Sequence, residues 1–343
     1  MRAICYTNPG QVEVKEAPVP SLGKGEALVK VRYAGICGSD LTIVAGKHLT
    51  AKPPLILGHE FSGELVKMDG DEAAGVFRPG DLVTVFPLLS CQRCLPCHTG
   101  NEHVCRQLGL VGIKQDGGMA EYVNVPMTSL IKLAPQVDLR IAALTEPLAV
   151  AVHSVRESSV SVGDHVLVLG GGPIGTLLAL VLRHSGIQQL TVTEIHPYRK
   201  QLLKELGIKV LDPREEDVVR YALARTGQEG MDVVFEASGA EPAALSMTEC
   251  ARPRGEIIIV SVFKKPVPLD LRQVAYKEIT LKGIRVYPRV DFERAAKLVG
   301  SNHLPLEKVI SCEFPLERAV EGFQLLQNNG DALKVVINCS SSC

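Results

Sequence analysis

The chain has 343 residues, of which 46% are hydrophobic and 22% are charged, and its formal net charge is −1. This near-neutral balance excludes the basic footprint of a nucleic-acid-binding protein and the cationic patch that binds an anionic membrane. Because the sequence contains no uninterrupted apolar stretch of about 18 residues, it also excludes a transmembrane helix.

The length predicts two domains, since a single hydrophobic core rarely extends over so many residues. The first ten residues lack the apolar core of a secretory signal peptide, so we expect the protein in the cytoplasm. Four of its 10 cysteines fall between residues 91 and 105. In a reducing compartment such a cluster predicts a metal site rather than a disulfide framework.

The first half of the chain has the pattern of β structure. The segments 26–35, 81–87 and 121–126 alternate β-branched and polar residues, and glycine, proline and aspartate separate them. We therefore expect a β-rich domain over residues 1–149.

The pattern changes near residue 160 to an alternation of short apolar strands and helices. The predicted strands are 166–170, 190–194, 232–238 and 255–261, and the predicted helices are 176–186 and 197–207. Such alternation predicts an α/β domain with a doubly wound parallel sheet over residues 150–285. Beyond it, amphipathic helices at 292–299 and 316–326 and a strand at 333–338 predict that residues 286–343 return to the first domain.

A glycine-rich turn follows the first strand of the α/β domain and opens its first helix. Its glycines fit the pattern G-x-G-x-x-G, and Glu194 lies 19 positions after the last of them, at the end of the next strand. This context predicts a dinucleotide site, with the pyrophosphate on the helix N-terminus and the ribose hydroxyls on Glu194. The carboxylate favours NAD over NADP, although Arg199 and Lys200 lie close in sequence. The expected cofactor residues are Gly170, Gly172, Pro173, Ile174, Gly175, Glu194 and Arg199.

Four cysteines at short spacing form a second strong pattern, namely Cys91, Cys94, Cys97 and Cys105. Four thiolates at this spacing suit one structural zinc with no open position. A redox dithiol is less consistent with four members, an iron–sulfur cluster remains an alternative, and the neutral charge disfavours a nucleic-acid-binding zinc ribbon. His98 and His103 lie inside this loop, and we expect both at the surface.

Three further segments carry groups that could act in catalysis. Cys37 lies in a glycine-flanked turn, His59 precedes Glu60, and Glu146 lies just before the α/β domain. Taken singly, Cys37, His59 and Glu146 have ordinary interpretations as a core cysteine, a buried histidine and a surface residue.

Together and in this order, these motifs resemble the zinc-dependent medium-chain alcohol dehydrogenase family, over essentially the whole chain. The segments that carry the resemblance are GICGSD (35–40), GHEFSGE (58–64), the cysteine loop, GGMAEY (117–122), EPLAV (146–150) and GGGPIG (170–175). The resemblance implies a GroES-like catalytic domain and a Rossmann NAD-binding domain.

The resemblance also implies a catalytic zinc held by Cys37 and His59, with Glu60 and Glu146 both candidates for the carboxylate ligand. Three protein ligands and an open position are what a catalytic zinc needs. The substrate hydroxyl would occupy the open position, lose its proton through Ser39, and give hydride to the nicotinamide.

One position departs from the family pattern. Many relatives have a histidine two residues after Asp40, where this chain has Thr42. Thr42, His48 or water would then complete the proton relay, and we favour water and Thr42 over His48.

The chain as a whole most resembles the sorbitol, idonate and gulonate dehydrogenases, so the implied substrate is a small polar secondary alcohol on a polyol or sugar acid. Threonine, butanediol or a simple alcohol is the enzymatic alternative, and a silent nucleotide-binding member is the non-enzymatic one. Arg285 and Arg289 are hypothetical clamps for a sugar-acid carboxylate, with a salt bridge as the ordinary alternative. Relatives form dimers or tetramers, so we expect a homo-dimer or homo-tetramer.

Overall fold

The computed structural model of the protein describes residues 1–69, 76–328 and 330–340. The chain forms two compact units. The first comprises Met1–Glu146, Pro288–Asn302 and Leu306–Cys343, and the second comprises Pro147–Tyr287 and His303–Pro305.

The first part of unit 1 is mostly β structure with three short helices. Its strands are β1 (Arg2–Asn8), β2 (Gln11–Glu16), β3 (Glu26–Gly35), β4 (Leu55–Ile56), β5 (Glu60–Met68), β6 (Leu82–Val85), β7 (Leu88–Leu89), β8 (Gly109–Leu110), β9 (Tyr122–Pro126) and β10 (Leu130–Lys132). Its helices are α1 (Gly38–Val44), α2 (Leu95–His98) and α3 (Leu139–Ala142).

Unit 2 alternates strands and helices. Its strands are β11 (His165–Leu169), β12 (Gln189–Thr193), β13 (Lys209–Leu211), β14 (Met231–Glu236), β15 (Ala251–Ile259) and β16 (Thr280–Gly283). Its helices are α5 (Pro173–His184), α6 (Pro197–Glu205), α7 (Val218–Arg225), α8 (Glu241–Cys250) and α9 (Leu271–Tyr276), preceded by α4 (Thr145–Glu157), which begins in unit 1.

The chain then returns to unit 1. This last part contributes α10 (Arg289–Ser301), β17 (Ile310–Pro315), α11 (Ala319–Gln327) and β18 (Lys334–Asn338).

Strand β3 is central to the main sheet of unit 1, in which strands follow the order β10-β6-β5-β3-β18-β17, with β9 also pairing β3. Near its end, Gly35 lies opposite Glu60 of β5 on one side and opposite Val336 of β18 on the other. The sheet therefore brings the start of β5 and the last described strand of the chain to the segment that precedes Cys37.

The six strands of unit 2 are all parallel, in the order β13-β12-β11-β14-β15-β16. In chain order this is 3-2-1-4-5-6, the arrangement of a Rossmann fold, in which the ligand binds where the strand order reverses. The predicted α/β class and doubly wound sheet are confirmed. Helix α5 begins at Pro173, three residues earlier than predicted, because proline is well suited to the first helical position.

Each unit has its own hydrophobic core. The core of unit 1 packs residues such as Val29, Phe61 and Leu65 from the central strands, and that of unit 2 packs Leu167, Val234 and Ile257. Among the described residues, none of the helices has both the length and the apolar character needed to cross a bilayer.

Candidate functional site

The start of helix α1 fixes the position of Cys37. The backbone N–H of Cys37 donates a hydrogen bond to Oδ2 of Asp40 at 2.9 Å, and Asp40 is fully buried. A carboxylate that reaches back to the residue before a helix satisfies a donor that would otherwise have no partner. The thiol of Cys37 is therefore attached to a rigid helix start.

A glycine precedes the second candidate segment for a steric reason. Gly58 has φ +100°, and a Cβ added to it would lie only 2.6 Å from Cγ of Met119. Only glycine accepts both that conformation and that contact. The tight turn leads directly into β5, so that His59 and Glu60 enter the sheet as buried side chains.

The structure brings Cys37, His59 and Glu60 together, with one ligand atom from each lying within 4.8 Å of the others. One thiol, one imidazole and one carboxylate are a donor set that fits zinc with a fourth position left open. Glu146 is buried on the first turn of α4 but does not belong to this group of three. Its charge nevertheless acts on His59.

The imidazole of His59 lies between two polar side chains. Its Nδ1 is 3.7 Å from Oδ1 of Asp40, and its Nε2 is 3.4 Å from Oγ of Ser39. Burial opposes a charge on the ring, but Asp40, Cys37 and Glu146 together raise the pKa of His59 well above its usual range. A carboxylate behind the far nitrogen of a ligating histidine orients the ring toward a metal.

The two side chains considered for the proton relay are held differently. The Thr42 hydroxyl donates to the carbonyl of Gly38 at 3.0 Å, within its own helix. Nδ1 of His48 accepts the backbone N–H groups of Thr50 and Ala51 at 3.3 and 3.1 Å. Burial, followed by the charge of His59, lowers the pKa of His48.

One charged residue beside this site, Lys334, belongs to none of the motifs that the sequence analysis used. Lys334 of β18 is buried and forms an ion pair with Glu60. Its Nζ also donates to the carbonyl of Ile36 at 3.0 Å. Lys334 lies 298 positions from Ile36, so a local motif could not reveal the contact; the signal was a lysine at the start of an otherwise apolar strand.

The four loop cysteines also converge. Their sulfur atoms all lie within 4.8 Å of one another, with Cys94 Sγ 3.4 Å from Cys97 Sγ and 3.8 Å from Cys105 Sγ. Zn–S bonds of about 2.3 Å in a tetrahedron place sulfurs about 3.8 Å apart. Backbone N–H groups of Arg106 and Cys97 lower the pKa of Cys94 to about 6, which favours the thiolate that a metal binds.

The two histidines of this loop differ in exposure. His98 is exposed, as expected, whereas His103 is only half-buried and engaged in contacts. His103 is therefore less exposed than the expected surface position.

The glycine-rich turn of unit 2 is closely packed. Gly170 has φ +106°, and a Cβ added to Gly175 would collide with the carbonyl oxygen of Gly170. Pro173 begins helix α5, and Ile174 and Gly175 follow it in the first turn. Because the first N–H groups of a helix lack intrahelical partners, this turn can receive an anion such as a pyrophosphate.

Glu194 lies beside the same turn, at the end of β12. A Cβ added to Gly171 would lie 3.1 Å from Oε2 of Glu194, while Oε1 accepts the N–H groups of Ile195 and His196 at 2.7 and 2.8 Å. Gly171, which the pattern treats as a variable position, thus leaves space for the side chains of Leu203 and Glu194. Nη1 of Arg199 lies 4.0 Å from the position of a Cβ on Gly172, so its guanidinium flanks the turn.

The two arginines suggested as carboxylate clamps have different surroundings. All three guanidinium nitrogens of Arg289 donate to protein acceptors, namely the Glu293 carboxylate and the carbonyls of Thr128 and Leu130. The structure therefore favours the salt-bridge alternative for Arg289. Arg285 is exposed, and its role stays a hypothesis.

Comparison with known proteins places the chain in a family. Residues 23–135 match the model of the alcohol dehydrogenase GroES-like domain, and residues 173–301 match the model of the zinc-binding dehydrogenases. The chain is 38% identical to 2-dehydro-3-deoxy-L-galactonate 5-dehydrogenase of Pseudoalteromonas atlantica, over 99% of both chains. It is 35% identical to sorbitol dehydrogenase of Halalkalibacterium halodurans, over 98% of this chain and 99% of the other.

A solved structure extends the comparison to three dimensions. A zinc-binding dehydrogenase from Sinorhizobium meliloti bound to NADP shares 31% sequence identity and a TM-score of 0.91, over 98% of both chains. The chain belongs to the zinc-binding dehydrogenase family: it is a zinc-dependent dehydrogenase that uses a nicotinamide dinucleotide, on the branch that includes these sugar-acid and polyol dehydrogenases.

Proposed function

We propose that this enzyme oxidises a secondary alcohol carbon of a sugar acid, or of a related polyol, with NAD as the hydride acceptor. The convergence of Cys37, His59 and Glu60 within 4.8 Å carries the proposal, because it assembles three zinc donors around a position that a substrate hydroxyl can share. Unit 1 would act as the catalytic domain and unit 2 as the NAD-binding domain.

Zinc bound at these residues would supply a Lewis acid that lowers the pKa of a substrate hydroxyl. The carboxylate of Asp40 faces the Nδ1 edge of His59, and the negative charge of Glu146 also acts on this histidine. Ser39 accepts the hydroxyl proton, since its Oγ lies beside His59, and passes it to water. Because the Thr42 hydroxyl already donates to Gly38, we do not assign Thr42 to the relay.

The choice of NAD depends on Glu194. Its Oε2 lies next to the glycine-rich turn, where it can accept hydrogen bonds from the adenosine ribose and repel a 2′-phosphate. The remaining cofactor contacts would come from Gly170, Gly172, Pro173, Ile174, Gly175 and Arg199.

The second zinc would be structural, held by Cys91, Cys94, Cys97 and Cys105. Four thiolates fill the coordination sphere, so this metal can stabilise the loop but cannot bind substrate.

Two assays of one protein preparation test the function. The first measures NAD reduction with gulonate, idonate, galactonate, sorbitol, butanediol and threonine, and we expect the highest kcat/KM on a sugar acid. The second measures zinc content, and we expect two equivalents per chain. The variant Cys37→Ser should lose one equivalent and the activity, whereas Cys94→Ser should lose the other equivalent and mainly thermal stability. Activity confined to primary alcohols, or a Cys37→Ser enzyme that keeps both zinc ions, would contradict the proposal.

We further propose that the protein is cytoplasmic and a homo-dimer or homo-tetramer. Strand β16 is an edge of its sheet, and its Leu281 is 40% exposed. Val262 and Tyr276 nearby in sequence are 89% and 84% exposed. An edge strand with exposed apolar residues is suited to pairing with a second copy. Light scattering after gel filtration should give a dimer or tetramer, and Leu281→Lys should lower that mass.

A further inference from the structure

The ion pair between Lys334 and Glu60 is unusual in its degree of burial. The side chains are only 3% and 1% exposed. Removing a lysine and a carboxylate from water costs several kcal/mol for each ion, and a buried pair often contributes little net stability. The pair therefore calls for an explanation other than stability alone.

A glycine in the main sheet leaves the space that this pair occupies. Gly35 of β3 lies between the strands that carry the two residues, opposite Glu60 on one side and Val336 on the other. A Cβ on Gly35 would collide with Oε2 of Glu60 and lie 3.1 Å from Cε of Lys334. The two side chains thus meet over the one position in this row that has no side chain.

Lys334 also contacts both segments that supply the proposed metal donors. Its Nζ donates to the carbonyl of Ile36, the residue before Cys37, at 3.0 Å, and it pairs with Oε2 of Glu60.

A carboxylate can bind a metal through one oxygen or through two. Binding through both oxygens of Glu60 would fill the position that a substrate hydroxyl requires. A cation held against one oxygen prevents this, because that oxygen cannot approach a metal while it is paired with the ammonium group. The same positive charge weakens the hold of the carboxylate on the metal.

We propose that Lys334 is a positioning residue that holds Oε2 of Glu60, so that the carboxylate offers the metal a single oxygen and the substrate position stays open. This inference rests on the proposed function of Cys37, His59 and Glu60. It differs from the usual role of a group behind a metal ligand, which strengthens the ligand. A lysine paired with a carboxylate ligand instead limits the number of oxygens that the carboxylate offers to the metal.

Lys334→Met tests the proposal, measured on the complete protein with zinc and with cobalt. Zinc release to a chelator should become about tenfold slower, the magnitude typical of groups behind metal ligands. The visible absorption of the cobalt-loaded protein should change, because a second oxygen of Glu60 takes the position of the water or alcohol oxygen, and addition of the alcohol should then alter the spectrum less than in the unaltered protein. The KM for the alcohol should rise more than kcat falls, because the alcohol must displace the second oxygen of Glu60 before it can bind.

Two matched variants separate this role from a purely structural one. Lys334→Arg keeps a cation against Glu60 and should retain the cobalt spectrum of the unaltered protein. Lys334→Gln keeps a donor for Glu60, which protects folding if the Met variant proves unstable, and should show the same changes to a smaller extent, because a neutral donor holds the carboxylate more weakly than an ammonium group does.

The proposal is wrong if Lys334→Gln leaves the cobalt spectrum and zinc release unaltered, or if either neutral variant releases zinc faster. That failure is distinct from failure of the proposed function. If Cys37→Ser keeps its full zinc content, the donor set itself is misassigned, whatever the Lys334 variants do.

Discussion

Oδ1 of Asp40 lies 3.7 Å from Nδ1 of His59, and the two side chains are 0% and 4% exposed. The carboxylate faces the Nδ1 edge of the imidazole, and its charge raises the pKa of His59. Asp40 also accepts a hydrogen bond from the backbone N–H of Cys37, so the same carboxylate contacts the segments of two proposed zinc donors.

Asp40→Asn should weaken zinc binding at this site about tenfold, because the amide can still accept from Cys37 but no longer supplies charge behind the histidine. Competition with a chromogenic chelator measures the effect. The zinc at the four loop cysteines serves as the internal control and should be retained. Equal retention of both zinc ions in the variant would show that Asp40 acts only as a helix cap.

Ser39→Ala should lower kcat about 100-fold near neutral pH, because it removes the hydroxyl beside His59 that we propose as the acceptor of the substrate proton. Thr42→Val is the matched control from the same helix. Its hydroxyl donates to Gly38, so the substitution should change kcat by less than about threefold. A large loss in Thr42→Val together with a small loss in Ser39→Ala would reverse the assignment.

Glu194→Gln should shift the ratio of kcat/KM for NADP over NAD by about 100-fold toward NADP, since it removes the charge that we propose to repel a 2′-phosphate. The amide keeps an acceptor for the turn at Ile195 and His196. Glu205→Ala, at an exposed glutamate of α6, should leave the ratio unaltered. An unchanged ratio in Glu194→Gln would mean that another group selects the cofactor.

The hydrogen bonds of Asp212 lead us to expect that the stability of unit 2 falls at acidic pH. Hydrogen bonds from Arg214 at 2.7 Å and Lys200 at 2.5 Å hold the pKa of Asp212 well below its usual range. The contribution of Asp212 to the free energy of unfolding is therefore complete above the unfolded-state pKa of about 3.9. It is lost as the pH falls through the lower folded-state pKa.

Asp212→Asn should lower the free energy of unfolding at pH 7 by about 1 kcal/mol, a value reduced for the solvent exposure of Arg214. Between about pH 5 and pH 2 the stability of the variant should fall less steeply than that of the unaltered protein. Urea unfolding across this range measures both effects. Parallel pH profiles for the two proteins would contradict the assignment.

Local patterns predicted the parts of the molecule whose partners lie close in sequence. The spacing of the four cysteines and the turn from Gly170 to Gly175 each follow from steric or coordination needs within a few residues. The approach of Cys37 to His59 needed the family resemblance, because their spacing of 22 positions fits no single helix or turn.

The remaining features depend on contacts that only the folded sheet creates. Lys334 reaches Glu60 because β18 returns beside β3, and Gly35 matters because it lies between them. Arg289 illustrates the opposite difficulty. The sequence near a domain junction does not show whether an arginine is available to a substrate. In the folded protein the guanidinium of Arg289 donates to Thr128, Leu130 and Glu293.

The return of the chain to unit 1 has a consequence for biosynthesis. Strand β18 follows the whole of unit 2 in chain order, yet it contributes the lysine that neutralises Glu60. While the ribosome is translating unit 2, Glu60 and Cys37 have already emerged but lack this partner. Domains generally fold as units during synthesis, the earlier ones first. Here unit 2, whose sheet is complete by residue 283, is available to fold before the main sheet of unit 1 receives β18.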